Sequence, residues 1–260
     1  MESKIFDPGK SISLFVKKIL VFEEQKKNQK SVLPFFADGY PGLIFQETET
    51  GLLVNPHNKQ MPVLFLYGQT IKPIELIMQG AYKLIIFQLY PFVLKSFFNI
   101  SPADVNDDCY SLEQLKNIKG ISVVQQLKSN NNAAGRIEII TNLLYEFFQT
   151  KKESLDFKIK QAIQLIAESK GQQGIRQLCA ELNLTERTFE RRFAMEVGIS
   201  PKHFSKIIQF QQSLEQLILN DYKKLTDIVY ANGFADQSHF IRVFKAFTGE
   251  TPLKFNRRVR

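Results

Sequence analysis

IRQLCAELNLTERTFERRFAMEVGISPKHF, residues 175–204, and LTDIVYANGFADQSHFIRVFKAFTGETPLKF, residues 225–255, carry one pattern twice. Ile175, Leu178 and Cys179 fall on Leu225, Ile228 and Val229 at a shift of 50. After one extra residue in the turn, Phe189, Arg191, Phe193, Gly198, Pro201 and Phe204 fall on Phe240, Arg242, Phe244, Gly249, Pro252 and Phe255 at a shift of 51. An internal repeat of this quality implies that one structural unit is used twice.

Each copy reads as helix, tight turn, helix. In the first, a short helix ends near Asn183, Thr185 caps the next helix, and Glu186 lies in the first turn, where the helix dipole favours an acid. In the second, Asn232-Gly233 supplies the turn and Asp236 the cap, equivalent to Thr185. Phe189 and Phe193, like Phe240 and Phe244, are four apart and bury one face. The opposite faces carry Arg187, Glu190, Arg191 and Ala194 in one copy and Ser238, Ile241, Arg242 and Lys245 in the other. A solvated helix face has the same composition as LTERTFERRF, residues 184–193, and it is the repetition that favours a reading surface. A helix that follows such a turn fits the major groove of DNA. The helix-like KHFSKIIQFQQSLEQLILN, residues 202–220, joins the copies, so two reading helices can enter successive grooves about 34 Å apart.

The charge points the same way. Residues 1–153 hold 17 Lys+Arg against 15 Asp+Glu, net +2, and residues 154–260 hold 17 against 11, net +6. Arg136 stands alone in the first half, while Arg176, Arg187, Arg191, Arg192, Arg242, Arg257, Arg258 and Arg260 follow. Arginine pairs bidentately with phosphate and guanine, so an anionic partner is expected for the C-terminal half. Scattered basic charge would instead fit non-specific packaging of nucleic acid. No run of about 18 apolar residues occurs and the N-terminus lacks a signal-peptide pattern, so the expectation is a cytoplasmic chain without membrane contact. Cys109 and Cys179, far apart and without neighbouring ligands, read as reduced, buried thiols.

Up to about residue 90 the pattern is β-rich: GLIFQE, LLVN, MPVLFLYG and KLIIFQLY are strands, and Thr-Glu-Thr-Gly is a turn. PFVLKSFFNI reads as a helix with Pro at its start and SLEQLKNI as a short one. KSNNNAAG, residues 128–135, reads as a loop, and IEIITNLLYEFFQ, residues 137–149, as a helix that joins two subunits or packs on its own domain. QTKKESLD, residues 149–156, is the expected linker. The fold class is α+β: a mainly antiparallel, barrel- or sandwich-like (cupin-like) domain over 1–150, then an all-α domain over 151–260.

The C-terminal hundred residues resemble the DNA-binding domain of the AraC/XylS family of bacterial transcription regulators, down to GFADQSHFIRVFKAFTGETPLKF. The resemblance assigns base reading to Arg187, Glu190 and Arg191 in the first copy and to Gln237, Ser238 and Arg242 in the second. Physically, Arg187 or Arg191 suits guanine, Gln237 adenine, and Glu190 cytosine N4, unless Glu190 orients a neighbouring arginine instead. Thr185, Thr188, Ser200, Lys202 and Lys254 fit phosphate contacts, which position the domain without reading sequence. Arg257, Arg258 and Arg260 read as a basic tail with non-specific attraction for DNA. His203 and His239 read as helix-surface or packing residues, without the partners of a ligand or catalytic base.

LPFFADGYPGLIF, residues 33–45, and the following GQTIKPIELIMQGAYKLIIFQLYPFVLKSFFNI resemble the barrel-like domain that precedes this DNA-binding unit in some family members. A single histidine there, His57, precludes the His/Glu metal cluster of a catalytic cupin, so no metal or cofactor is expected. Asp38-Gly39 reads as a tight turn. Phe35, Phe36, Tyr40, Phe45, Phe65, Tyr67 and Phe87 either line a pocket for a small-molecule effector or form core. The implied function is sequence-specific regulation of transcription. Its partners would be promoter DNA and RNA polymerase, with effector sensing or homodimerisation in the N-terminal half. The alternative, an enzyme with an attached DNA-binding module, needs an activated cysteine or a metal cluster, and neither NDDCYS nor the apolar helix around Cys179 supplies one.

Overall fold

The structure, a computed structural model, describes residues 2–112, 120–151, 153 and 155–259. Two compact units emerge: one spans residues 1–35, 40–69 and 74–155, the other 36–39, 70–73 and 156–260.

The first unit is built on two antiparallel sheets. Its elements are β1 (Glu2–Phe6), α1 (Gly9–Ile12), β2 (Val16–Glu24), β3 (Lys30–Phe35), β4 (Gly42–Thr48), β5 (Leu52–Asn55), β6 (Lys59–Met61), β7 (Leu64–Tyr67), β8 (Ile74–Gln79), β9 (Tyr82–Leu89), α2 (Phe92–Phe98), a 3-10 turn (Pro102–Val105), β10 (Cys109–Ser111), α3 (Gly120–Ser129) and α4 (Ala133–Lys151). One sheet has the order β1-β2-β9-β4-β7-β10 and the other β3-β8-β5-β6. The sheets keep open edges, so the unit is a sandwich rather than a closed barrel. Ile44, Phe65, Leu84 and Ile86 of the first sheet share a core with Leu52, Val54, Leu76 and Met78 of the second. Leu43, Phe45, Ile85 and Phe87 alternate to the opposite face of the six-stranded sheet, where the Arg136 guanidinium of α4 lies 4.8 Å from the Phe45 ring centroid. Burial on both faces explains the unbroken apolar run Leu84–Phe87 within KLIIFQLY.

Several expectations shift by a few residues. MPVLFLYG is two strands, because Pro62 interrupts it between β6 and β7. PFVLKSFFNI forms α2 after Pro91, but SLEQLKNI lies largely outside the described residues beyond Leu112. The loop expected over 128–135 shrinks to 130–132, since Asn132 Oδ1 accepts the Gly135 N–H and starts α4 early. α4 packs within its own unit: Phe148 stacks on Phe15 at 5.2 Å and Phe147 meets Phe98 at 5.2 Å. The expected linker is shorter as well, because α4 runs to Lys151 and Asp156 caps the next helix. Of the two readings of the aromatic residues, pocket lining or core, most fall to core. Phe65 and Tyr67 sit in the sandwich core, Phe45 and Phe87 on the other face, and Phe36 groups with the second unit.

A buried arginine clamps the first unit. Arg136, 2% exposed, donates through Nη1 and Nη2 to Glu47 at 2.7 and 3.0 Å and through Nε to the carbonyls of Leu127 and Asn130. Those hydrogen bonds hold the Glu47 carboxyl below its usual range.

The second unit is helical: α5 (Phe157–Glu168), α6 (Ile175–Glu181), α7 (Glu186–Val197), α8 (Pro201–Leu219), α9 (Leu225–Ala231), α10 (Gln237–Thr248) and α11 (Pro252–Val259). α6 and α9 coincide at a shift of 50, and α7 and α10 at 51. Leu184 N–H bonds to Cys179 O and Phe234 N–H to Val229 O, still at 50, so Ala235 is the extra residue. Asn183 and Gly233 hold the equivalent left-handed turn position, which these two residue types tolerate best. Both second helices then end on a glycine at φ 81°, Gly198 and Gly249.

Candidate nucleic-acid interface

The phenylalanine anchors repeat in space as they do in sequence. Phe189–Phe193 and Phe193–Phe204 contact edge to face at 5.6 and 5.7 Å, and Phe240–Phe244 and Phe244–Phe255 do so at 5.7 and 5.5 Å. All six rings are buried. α8 serves both copies, since Phe204 meets Phe193 of α7 while Phe210 meets Phe244 and Phe247 of α10. Its 19 residues span about 28 Å, so a single rod carries both α7 and α10.

The caps fall on Thr185, whose Oγ1 accepts the Thr188 N–H, and on Asp236, which accepts the His239 N–H at 2.7 Å. With one face of each helix fixed by phenylalanine, the other must point outward. Arg187, Glu190 and Arg191 of α7 are all exposed, as are Gln237, Ser238 and Arg242 of α10. Among the described residues Glu190 forms no ion pair with Arg187 or Arg191, so the strip is left available to a partner. Arg192, the third arginine of ERTFERRF, turns away from that strip. It forks onto Asp156 with bonds of 2.8 and 2.6 Å, while Asp156 also caps α5 through the Ile159 N–H. Nothing in the local sequence marks that pair, which joins residues 36 positions apart.

The polar residues around the strip are partly engaged. Thr185 Oγ1 also donates to Thr188 Oγ1 at 2.9 Å, and Ser200 Oγ accepts the His203 N–H to cap α8. Lys202 and Lys254 are exposed. The thiols of Cys109 and Cys179 are free and buried; burial, reinforced by Asp108, pushes Cys109 up to about 12. Among the described residues no group of three or more His, Cys, Asp and Glu side chains is arranged to hold a metal, and no helix is long and apolar enough to cross a membrane.

A family profile described as a helix-turn-helix domain matches residues 178–258, covering most of both copies. Over 76 residues, 29% of this chain, the sequence is 30% identical to the HTH-type transcriptional activator RhaS of Yersinia pestis. Residues 178–258 thus carry a helix-turn-helix domain of the kind found in transcription regulators, in line with the AraC/XylS resemblance of the C-terminal hundred residues. The chain is also 31% identical, over 71 residues and 27% of its length, to an uncharacterized HTH-type transcriptional regulator of Staphylococcus aureus. The matched segments make up 28% and 9% of those two proteins. A second profile, described as a domain of unknown function, matches residues 4–111. The solved structure of ToxT from Vibrio cholerae aligns over 89% of this chain and 98% of its own, with 16% identity and a TM-score of 0.47.

The C-terminus of the helical unit differs from the basic tail expected from sequence. Residues 252–259 form α11, and Arg258 is not a free tail charge: it pairs with Glu250 at 2.9 and 2.7 Å and lies over the Phe255 ring. Arg257 is exposed, and Arg260 lies outside the described residues.

Proposed function

We propose that the chain is a sequence-specific DNA-binding regulator of transcription that reads two successive major grooves with α7 and α10. The observation that carries this reading is the duplicated recognition helix: two copies, anchored by equivalent phenylalanine pairs, present exposed polar strips from one α8 rod. Arg187, Glu190 and Arg191, with Gln237, Ser238 and Arg242, are the base readers, and Thr188, Ser200, Lys202 and Lys254 the phosphate contacts. Thr185 is the weakest of the phosphate set, because its hydroxyl is engaged within the cap. RNA polymerase is the downstream partner. The sandwich unit is the place for effector sensing or for pairing of two copies.

Selection of bound duplexes from a random pool by the full chain, repeated with Arg191→Ala and Arg242→Ala, tests the reading. Each variant should relax preference in one block of the selected site; unchanged discrimination between cognate and scrambled duplex would refute the assignments.

A further inference from the structure

The base readers lie on α7 and α10, but a second polar feature lies between the start of α8 and the flank of α10. A groove of about 540 Å³ opens there, lined by the α8 cap Ser200, by Lys202, His203 and Lys206 of α8 and by His239 and Arg242 of α10, with Val243, Ala246 and Phe247 of α10 as its apolar part. Lys202 and Lys206 are four apart and His239 and Arg242 three apart, so each helix turns one face into the groove. No acidic residue lines it, and among the described residues Lys202, Lys206 and Arg242 have no ion-pair partner. Three uncompensated cations in one concavity repel one another until an anion arrives, and they focus a positive potential on that anion. The α8 N-terminus adds to the same field. His239 lines the groove from the α10 side, next to Arg242. The donors come from two helices and outnumber what the two oxygens of a carboxylate can accept. A phosphate group accepts through more oxygens and carries the charge that the lysines and the arginine require.

We propose that this groove is a phosphate-binding site, in which Lys206, His203 and His239 join Lys202 and Ser200, and that the phosphate is supplied by the DNA backbone between the two recognition helices or by a free phosphate-bearing ligand. The DNA arm rests on the reading of the chain as a DNA-binding regulator; the free-phosphate arm does not. Arg242 stands on both the groove and the base-reading strip, so Lys206 is the residue that isolates the groove.

The full chain and its Lys206→Ala and Lys206→Arg variants are compared in two measurements. The first is affinity for the selected duplex and for a scrambled duplex as a function of salt. If a backbone phosphate fills the groove, Lys206→Ala lowers affinity for both duplexes alike, by about threefold or more at low salt. The slope of log K against log salt flattens by about 0.9, and Lys206→Arg restores most of the loss. The second is thermal melting in inorganic phosphate against chloride of equal ionic strength. If a free phosphate ligand is the occupant, phosphate raises the melting temperature of the parent chain, Lys206→Ala abolishes the rise, and DNA affinity is unaffected. Loss confined to the selected duplex would make Lys206 a base reader and overturn the proposal, as would Lys206→Ala that matches the parent in both measurements. Failure of the regulator reading has a different signature: no duplex is enriched by the parent chain, while the melting measurement still decides the groove.

Discussion

Arg191 and Arg192 are neighbours in sequence with different surroundings, one exposed and one forked onto Asp156, and separating them by mutation tests how the helix distributes its charge. Arg192→Ala removes both bonds of the fork onto Asp156, a pair whose side chains are 31% and 16% exposed. An exposed ion pair contributes about 0.2–1 kcal/mol, whereas a hydrogen bond to a charged group contributes about 1.5–3. A bidentate pair at this intermediate exposure therefore stabilises the second unit by about 1–2 kcal/mol. Asp156→Ala should cost about 1 kcal/mol more, because the α5 cap on the Ile159 N–H goes with it. Melting of the full chain followed by far-UV circular dichroism should show the helical transition falling by about 4–8 °C per kcal/mol for a unit of this size. Arg191→Ala, which removes an exposed side chain, should leave that transition within about 0.5 kcal/mol and alter duplex preference instead. A variant Arg192→Ala that melts like the parent but reads DNA differently would refute the assignment of the two arginines.

Arg191→Ala and Arg242→Ala should each weaken binding to the selected duplex by about 1–3 kcal/mol, with little change on scrambled DNA; equal losses on both would make them phosphate contacts. In the first unit, Glu47→Ala leaves a guanidinium that is 2% exposed without its counter-charge; because the Glu47 side chain is itself 53% exposed, the sandwich should lose about 1–2 kcal/mol in urea titration, below the cost of breaking a fully buried pair; an unchanged midpoint would contradict the clamp. Arg136 holds the Glu47 carboxyl below the 4.5 of a free one, so its stabilisation is complete above about pH 4.5 and is lost as pH falls through the lower folded value. Stability measured from about pH 6 down to 3 should therefore fall less steeply in Arg136→Met than in the parent, and parallel curves would dismiss the linkage. Cys109, pushed up to about 12 by burial and by Asp108, should resist alkylation in the folded chain at about pH 8 and react once the chain is unfolded; rapid native labelling would show the thiol to be accessible.

The helical half was legible because its signals are local and occur twice. Caps, turns and phenylalanine spacing each act within a few residues, and the repeat at 50 and then 51 confirmed each element against its copy. The sandwich was legible as strands but not as sheets. β-Pairing joins distant segments, such as β4 with β9, and no periodicity announces which strands meet. The same limit hid the Arg136–Glu47 clamp across 89 positions and the Arg192–Asp156 fork across 36. The groove between α8 and α10 is not legible in sequence for a related reason. Lys206 and His239 become neighbours only when Phe210 of α8 packs against Phe244 and Phe247 of α10, so the positive field around them exists only in three dimensions.

Selection of duplexes from a random pool by the full chain at physiological salt tests the central claim most directly. Two enriched blocks about one helical turn, roughly 34 Å, apart would match two recognition helices on one α8 rod. A pool that stays random, with binding that follows ionic strength alone, would contradict a chain built to read sequence.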